Sequence, residues 1–334
     1  MLLLAQDERF KEHDTGPGHP ERPARLRAVE EALTRTDAAG DATLQLEPRA
    51  ATREELERVH TVEHLDDLER RCRAGGGRID ADTVASRGSW DAAVFAAGAG
   101  LSAVDALDAG RGDAAFLALR PPGHHAVPAH AMGFCLVNNV AVTAAALAAR
   151  GQRSVVVDWD AHHGNGTQDI FYESPDVLYV SLHEWPLYPG TGRVTDTGRG
   201  AGAGTTVNVP LPAGATGDVY LEALDTLIAP AVERFAPDWV LISSGYDAHR
   251  DDPITGLGLS TGDFADLTAR VSAFAPRPGR LIVFLEGGYD LEALRGGVAA
   301  TCGVLEGRTV RPEPATSGGP GASAVARARA EHGL

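Results

Sequence analysis

The stretch SVVVDWDAHHGNG, residues 154–166, restricts the fold of this chain more than any other part of it. It opens with a β-branched run that is typical of a buried parallel strand. Asp158, Asp160 and His162 then occupy alternate positions. On an extended backbone, alternate side chains share one face, so these groups would leave the end of one strand together. Ligands bind beyond the carboxyl ends of strands in open parallel sheets, so the stretch predicts a polar site there and not a solvated loop.

Three other predicted strands also end in residues that can do chemistry. They are residues 114–119, followed by His124 and His125; residues 239–243, followed by Asp247; and residues 281–285, followed by Tyr289. Apolar runs at 2–5, 177–182 and 205–209 predict further strands, and helical patterns separate many of them. This alternation predicts an α/β fold with a parallel sheet and helices on both of its faces.

The residues at these strand ends suit a catalytic metal site. Asp160, His162 and Asp247 supply the oxygen and nitrogen ligands that zinc takes in catalytic sites, where three protein ligands leave one position open. A metal there lowers the pKa of a bound water towards neutrality and polarises a carbonyl group. The adjacent histidines could move protons, and the Tyr289 hydroxyl could donate to an oxyanion. From the residues alone, we predict metal-assisted hydrolysis of a carbonyl compound.

Charge and cysteine content limit the partners and the compartment. The 334-residue chain carries a net charge of −16, which argues against nucleic acid or an anionic membrane as a partner and mildly favours cationic substrates. We expect no apolar run of transmembrane length. Three widely spaced cysteines without a CxxC motif favour a reducing, cytoplasmic setting over a disulfide framework.

The chain shows no internal repeat and no linker that would divide it. Residues 1–312 are therefore predicted to form one catalytic domain. Residues 313–334, which are rich in Pro, Gly, Ala and Arg, are predicted to form a tail that is ordered only in part. The oligomeric state stays open, a homo-oligomer included.

Six motifs resemble, in order, those of the histone deacetylase superfamily, which includes acetylpolyamine amidohydrolases and bacterial deacetylase-like amidohydrolases. They are RPPGHHA at 120–126, GFCLVNN at 133–139, DWDAHHGNGTQDIFY at 158–172, SLH with PGTG at 181–192, SGYDAHRDDP at 244–253 and EGGY at 286–289. The segment HDTGPGHPERPARL at 13–26 is similar to the class II branch of that superfamily. The resemblance implies an arginase-like three-layer fold with a central eight-stranded parallel sheet, and a zinc-dependent amidohydrolase reaction.

The resemblance also implies roles for the catalytic residues. Zinc would be held by Asp160, His162 and Asp247. His124 and His125 would be the tandem histidines, with His125 the general base. The remaining implied roles are Asp158 as the partner that orients His124, Asn165 as the partner of His125 where other branches have Asp, Tyr289 as the oxyanion donor, and Gly288 as a small residue that lets the Tyr289 ring approach. Branches with His in place of this Tyr are poor lysine deacetylases.

The same resemblance implies a substrate tunnel and a second cation. Phe134 and Tyr188 would wall an acyl-lysine tunnel, Asp82 would be a carboxylate at its rim, and Gly288 would also lie beside the substrate. The Gly133 carbonyl would accept from the substrate amide, and Arg25 would border a product exit channel. A structural potassium ion would lie on carbonyl groups of Asp158, Asp160 and His162 together with Ser181 and Leu182.

The residues at the rim of this tunnel predict which substrate the protein prefers. Some polyamine-specific relatives place Glu seven residues after the third metal ligand, and this chain has Ile254 there. An apolar wall suits the uncharged stem of an acyl-lysine, so we predict removal of acetyl or other acyl groups from the lysine Nε of proteins or peptides. Acetylpolyamine hydrolysis is the alternative. A binuclear manganese ureohydrolase would need further bridging carboxylates, and the complete ligand set with Tyr289 argues against a silent acyl-lysine reader.

Overall fold

The structure is a computed structural model that describes residues 1–36 and 43–334. Its ten strands are β1 (Leu2–Ala5), β2 (Thr43–Leu46), β3 (Gly76–Arg78), β4 (Val84–Ser86), β5 (Ala114–Leu117), β6 (Ser154–Asp158), β7 (Val177–Glu184), β8 (Thr206–Leu211), β9 (Trp239–Ser244) and β10 (Leu281–Leu285). Eight of them form one sheet in the order β2-β1-β5-β10-β9-β6-β7-β8, and every neighbouring pair is parallel. The eight-stranded parallel sheet that we predicted is therefore confirmed.

The strand order explains how distant motifs reach one site. Strands β5, β10, β9 and β6 are consecutive neighbours in the middle of the sheet, although in sequence they are spread over residues 114–285. All four are completely buried, which accounts for their continuous apolar runs. Because the strands are parallel, their carboxyl ends lie side by side at one edge.

Helices pack around this sheet. They are α1 (Ala24–Thr36), α2 (Arg53–Glu57), α3 (Val62–Arg73), α4 (Ser89–Asp108), α5 (Asn139–Ala148), α6 (Asn165–Phe171), α7 (Gly217–Ala223), α8 (Ala229–Phe235), α9 (Thr261–Ser272), α10 (Leu291–Leu305) and α11 (Ala322–Glu331). Helices α1 and α9 pack against α10, and α4 packs against α5. A π-helical turn, Leu224–Ile228, joins α7 to α8, so residues 217–235 form a continuous helical run of three segments.

Helix α4 is long and apolar enough to cross a membrane by length and composition, which our expectation from the sequence did not allow. Most of it is buried inside the protein, between a short 3₁₀ helix (Glu8–Lys11), α5 and the sheet. Its run of Ala and Gly permits this close packing, and such burial is typical of the core helix of a globular protein.

Several elements differ from the sequence prediction. Strand β2 was not predicted, because it is a four-residue edge strand in which only Leu46 is buried, so the sequence shows no apolar run there. No strand was predicted at the glycine-rich residues 76–78, which form β3 and pair with β4 in an antiparallel hairpin. Strand β7 continues through His183, where the prediction ended it.

The C-terminal segment also differs from the partly ordered tail that the sequence predicts. Helix α11 packs against β8 and α7 and buries Ala324, Val325 and Ala328. Its apolar strip consists of small side chains among arginines, which gives a weak hydrophobic pattern in the sequence.

Candidate active site

The ends of β6 and β9 bring three potential metal ligands together. One donor atom each from Asp160, His162 and Asp247 lies within 4.8 Å of the other two. The His162 Nδ1 is 3.2 Å from Asp160 Oδ1 and 3.1 Å from Asp247 Oδ2. Backbone N–H groups hold the carboxylates: Ala161 donates to Asp247 Oδ1 at 2.8 Å, and Gly287 donates to Asp160 Oδ2 at 2.8 Å. The sequence-predicted ligands therefore share one buried site.

The negative charges of two buried carboxylates at this site favour the binding of a cation. Asp160 and Asp247 are both buried, and among the described residues neither forms an ion pair with Lys or Arg. Burial, together with the negative charge of Asp160, raises the pKa of Asp247 to about 7. A divalent ion would neutralise the two carboxylates, and two carboxylate oxygens with one imidazole nitrogen suit zinc. The residues present therefore fit the predicted metal.

Two glycines let backbone approach these ligands closely. A Cβ atom on Gly245 would lie 2.2 Å from Asp160 Oδ2, and a Cβ atom on Gly287 would lie 2.3 Å from Asp247 Oδ2. Both glycines follow strands of the sheet, in the SGYD and EGGY motifs. Any larger residue would push a ligand carboxylate out of place, so the ligand geometry depends on bare backbone here.

The tandem histidines have the partners that the resemblance implied. The His124 Nδ1 lies 3.0 Å from Asp158 Oδ2, and the His125 Nδ1 lies 2.8 Å from Asn165 Oδ1. Burial lowers the pKa of His124, but the charges of Asp160 and Asp158 outweigh it and raise this pKa well above the ordinary value. Burial, with the positive charge of His124 beside it, lowers the pKa of His125 well below the ordinary value. His125 is therefore neutral, with Nδ1 as donor to Asn165 and Nε2 free to accept a proton.

A narrow cavity of about 230 Å³ leads to this site. Its lining residues are Asp82, His125, Gly133, Phe134, His162, Leu187, Tyr188, Ile254 and Tyr289. The Tyr188 ring packs edge-on against His125 with a centroid distance of 5.3 Å, and the Phe134 ring packs edge-on against Tyr289 at 5.8 Å. The predicted tunnel walls and both predicted rim residues, Asp82 and Ile254, thus border one cavity.

The loop that carries the Phe134 ring has an unusual backbone. Gly133 and Phe134 both have positive φ, 55° and 67°, and a large side chain rarely adopts this region. The Phe134 N–H donates to Thr83 Oγ1 at 3.2 Å, and the Thr83 hydroxyl also donates to Asp82 Oδ1 at 3.1 Å. Thr83 therefore connects the wall of the cavity to the carboxylate at its rim.

Asp252 and Arg25 fix the position of Tyr289 through contacts with its backbone and ring. Asp252 Oδ2 accepts from the backbone N–H of Tyr289 at 2.7 Å. Arg25, which is fully buried, donates through Nε to the Gly288 carbonyl at 2.7 Å, and its guanidinium carbon lies 5.1 Å from the Tyr289 ring centroid. Gly288, predicted beside the substrate, is not among the described residues that line the cavity; its φ of 121° turns the backbone so that Tyr289 faces inward.

The predicted potassium ligands lie where β6 ends, next to the second half of β7. Asp158 and Ser181 are paired in register across these two strands, and Leu182 follows on β7. All five implied ligand residues are buried: Asp158, Asp160, His162, Ser181 and Leu182. Their role in binding potassium stays a prediction.

Three buried charged residues that support the site were missed. Glu286 Oε2 accepts from the backbone N–H groups of Gly123 and His124, at 2.7 and 3.2 Å. Arg120 donates to Glu21 through Nε and Nη2. Asp252 holds Tyr289, as described above. Each lies inside a motif quoted from the sequence, and an acid directly after an apolar strand, as in Glu286, is the signal that could have revealed the first of them.

Comparison with known proteins agrees with this geometry. The family model described as "Histone deacetylase domain" matches residues 19–305. A "Probable deacetylase" of Archaeoglobus fulgidus is 42% identical over 85% of this chain and 80% of its own length. A "Histone deacetylase-like amidohydrolase" of Pseudomonas aeruginosa is 40% identical over 82% of this chain and 73% of its own length.

A solved structure supports the same assignment. The crystal structure of the HDA15 HD domain superposes with a TM-score of 0.89 at 36% sequence identity, covering 99% of this chain and 94% of that one. Family model, relatives and fold agree with the site built from the strand ends. The chain thus belongs to the histone deacetylase family of hydrolases, and its arginase/deacetylase fold and deacetylase chemistry follow from that membership.

Proposed function

We propose that this protein is a zinc-dependent deacetylase that acts on acyl-lysine side chains of proteins or peptides. One observation carries the proposal: the aromatic rings of Phe134 and Tyr188 line the same cavity as the candidate metal ligand His162 and the two candidate catalytic groups His125 and Tyr289. Aromatic walls beside polar catalytic groups suit the uncharged stem and the amide of an acyl-lysine side chain.

Asp160, His162 and Asp247 would hold the zinc ion. When bound, zinc supplies a Lewis acid that polarises the amide carbonyl and makes a water molecule more acidic. Its presence is supported by the donor set and by the two buried carboxylates, whose charge no Lys or Arg of the described residues balances.

The protein's own groups would then manage the protons. His125 is neutral and its Nε2 is free, so it can take a proton from the attacking water and pass it to the leaving lysine amine. The Tyr289 hydroxyl can donate a hydrogen bond to the carbonyl oxygen as negative charge develops there. His124, held by Asp158, adds a positive charge next to His125 and keeps its pKa low.

The rim of the cavity supports an acyl-lysine substrate. Ile254 and Tyr188 are 37% and 38% exposed, so both present apolar surface at the entrance. Asp82 lies beside them, where its carboxylate can accept from a backbone amide of a peptide. These groups suit the aliphatic stem of lysine and the chain from which it projects.

Acetylpolyamines are the second candidate, and the acidic rim favours them. Asp80 lies next to the rim residue Asp82, whose backbone N–H donates to Asp80 Oδ1 at 3.0 Å, and among the described residues neither carboxylate forms an ion pair with Lys or Arg. The charge of Asp80, added to burial, raises the pKa of Asp82. Two adjacent carboxylates would attract the distal ammonium of a polyamine.

The test is a side-by-side assay of acetyl-lysine peptides and acetylated polyamines with the purified protein, together with metal analysis. We expect about one zinc per chain and a higher kcat/KM for the peptides. A higher kcat/KM for the polyamines would replace the first proposal with the second. Two metal ions per chain would instead indicate a ureohydrolase-type centre, and absence of any turnover would indicate an acyl-lysine reader.

We also propose a structural potassium ion on Asp158, Asp160, His162, Ser181 and Leu182, which the burial of these residues at one strand junction supports. Replacing potassium by a large organic cation should then lower the melting temperature.

The reducing, cytoplasmic setting stays a prediction, with which the three free and buried cysteines are compatible.

A further inference from the structure

The segment 311–319, here called the C-terminal strap, is tied firmly to the protein. Thr316 donates through its backbone N–H to Asp263 Oδ1 at 2.9 Å and through its hydroxyl to Asp263 Oδ2 at 2.7 Å. The hydroxyl also accepts from the Gly217 N–H at 2.9 Å, and Ser260 donates to the Pro314 carbonyl at 2.7 Å. The strap therefore crosses the first turns of α7 and α9.

Glu313 of the strap points into the loop that follows β9. Its Oε2 lies 3.0 Å from His249 Nε2 and accepts from the Thr261 N–H at 3.0 Å, while its Oε1 accepts from Arg250. The Asp251 N–H donates to His249 Nδ1 at 3.2 Å, so His249 Nε2 is the protonated nitrogen and donates to Glu313. One carboxylate thus fixes two side chains of this loop and the start of α9.

The loop connects Glu313 to the active site in three steps. His249 follows the candidate ligand Asp247 by two residues, and its carbonyl accepts from the Asp252 N–H at 2.9 Å. Asp252 in turn accepts from the Tyr289 N–H at 2.7 Å and from the Ile254 N–H at 3.1 Å. A shift of His249 would therefore move the residue that holds both Tyr289 and the entrance residue Ile254.

We propose that Glu313 is a positioning residue for the deacetylase reaction: through His249 and Arg250 it holds the 247–254 loop in the conformation that keeps Asp252 on Tyr289. This inference rests on the proposed function, since Tyr289 is the proposed oxyanion donor. Glu313 itself touches neither the cavity nor the candidate metal ligands. Residues outside the 1–312 region that the sequence predicts as catalytic would then contribute to catalysis.

The strap offers a matched control. Arg311 lies two residues before Glu313 and forms an ion pair with Asp266 of α9, which is remote from the loop. Arg311→Ala removes one strap ion pair and leaves the 247–254 loop alone. Since Thr316 and the buried side chains of α11 hold the segment independently, Glu313→Ala should leave the strap in place.

The experiment compares Glu313→Ala, Glu313→Gln and Arg311→Ala in the full chain by steady-state kinetics on an acetyl-lysine peptide, melting temperature and hydrogen–deuterium exchange. For Glu313→Ala we expect kcat to fall about tenfold, because a small misplacement of a catalytic group costs up to ~10²-fold. KM should change less than kcat. Exchange should become faster in peptides covering 248–256 and stay unchanged in α11. Glu313→Gln, which keeps a neutral acceptor, should fall between wild type and Glu313→Ala.

Three outcomes would overturn the proposal. They are an unchanged kcat in Glu313→Ala, a lower kcat with unchanged exchange in 248–256, and the same changes in Arg311→Ala, which would indicate general loosening of the strap. If wild type itself turns over no acetyl-lysine peptide, the proposed function fails. In that case, hydrogen–deuterium exchange in peptides covering 248–256 still tests, without an activity assay, whether Glu313 holds the 247–254 loop in place.

Discussion

Tyr289 carries the clearest prediction at the scale of single residues. Its backbone N–H donates to Asp252 and its side chain lines the cavity, so Tyr289→Phe should remove one hydroxyl and little else. Removing one oxyanion donor typically costs about 10²–10³ in kcat, roughly 2.7–4 kcal/mol. We expect kcat on an acetyl-lysine peptide to fall by this factor with KM nearly unchanged, because the interaction forms mainly in the transition state. A near wild-type kcat would place the oxyanion donor elsewhere.

His162 carries the prediction about the metal. Its Nδ1 lies between the two candidate carboxylate ligands, at 3.2 and 3.1 Å, so His162→Ala removes the only nitrogen of the set. We expect the variant to lose both bound zinc and activity, while its circular dichroism spectrum stays that of the wild type because β6 ends before this residue. Zinc retained at one ion per chain would contradict the ligand assignment. His130→Ala, at an exposed histidine outside the ligand set and outside the 247–254 loop, is a suitable control for zinc content.

At the scale of elements, the loop between β9 and α9 carries a candidate metal ligand, the residue that supports Tyr289 and a residue at the entrance of the cavity. Asp247 begins it, Asp252 supports Tyr289, and Ile254 reaches the cavity entrance. The sequence predicted Asp247 and Ile254, because motif and spacing mark them. It did not predict Asp252, whose partner is a backbone N–H of another motif 37 residues away. Side-chain contacts with backbone leave no pattern in a single sequence.

The position of Ile254 predicts a change of selectivity. Ile254→Glu would place a carboxylate beside Asp82 at the entrance, where it should attract the distal ammonium of an acetylpolyamine. We expect kcat/KM for acetylpolyamines to rise relative to that for acetyl-lysine peptides, measured with both substrates on both proteins. Ile254→Gln, of equal length and no charge, is the control. An unchanged ratio in Ile254→Glu would mean that this residue does not contact the substrate.

The strands illustrate which elements a sequence can reveal. Strands β5, β6, β9 and β10 were predicted within one or two residues, because their buried runs of apolar residues end abruptly in polar motifs. Strand β2 was missed because it is an edge strand with Leu44 and Gln45 exposed. The order in which the strands pair was not predicted, since no local pattern encodes it; the family resemblance implied only that the sheet has eight parallel strands.

At the scale of the whole molecule, a buried ionic cluster joins the N-terminal loop to two catalytic motifs. Glu21 accepts from Arg120, next to the tandem histidines, and from Arg25, beneath Tyr289; all three side chains are fully buried. Burial would raise the pKa of Glu21, but the charge and hydrogen bonds of Arg120 outweigh it and lower the pKa to about 2. The cluster holds three parts of the chain in place.

This cluster predicts how stability should change with pH. Glu21→Gln leaves two buried guanidinium groups without a carboxylate, and breaking such a pair costs about 3–5 kcal/mol. Because the folded pKa lies below the ordinary 4.5, the contribution of Glu21 is fully present above pH 4.5 and is lost as pH falls towards 2. We expect the difference in melting temperature between wild type and Glu21→Gln to be largest near neutral pH and to shrink below pH 4.5. A difference that is constant across this range would assign the effect to packing.

The position of β10 has a consequence for synthesis. This strand, the last of the sheet in sequence, lies between β5 and β9, so the two halves of the site cannot meet until residues 281–285 have left the ribosome. Pairings of this range are slow to form, and until then β5 and β9 each expose an unpaired apolar edge. We therefore expect a nascent chain to have no partial activity, and to be most exposed to aggregation just before the strand that completes its catalytic centre is synthesised.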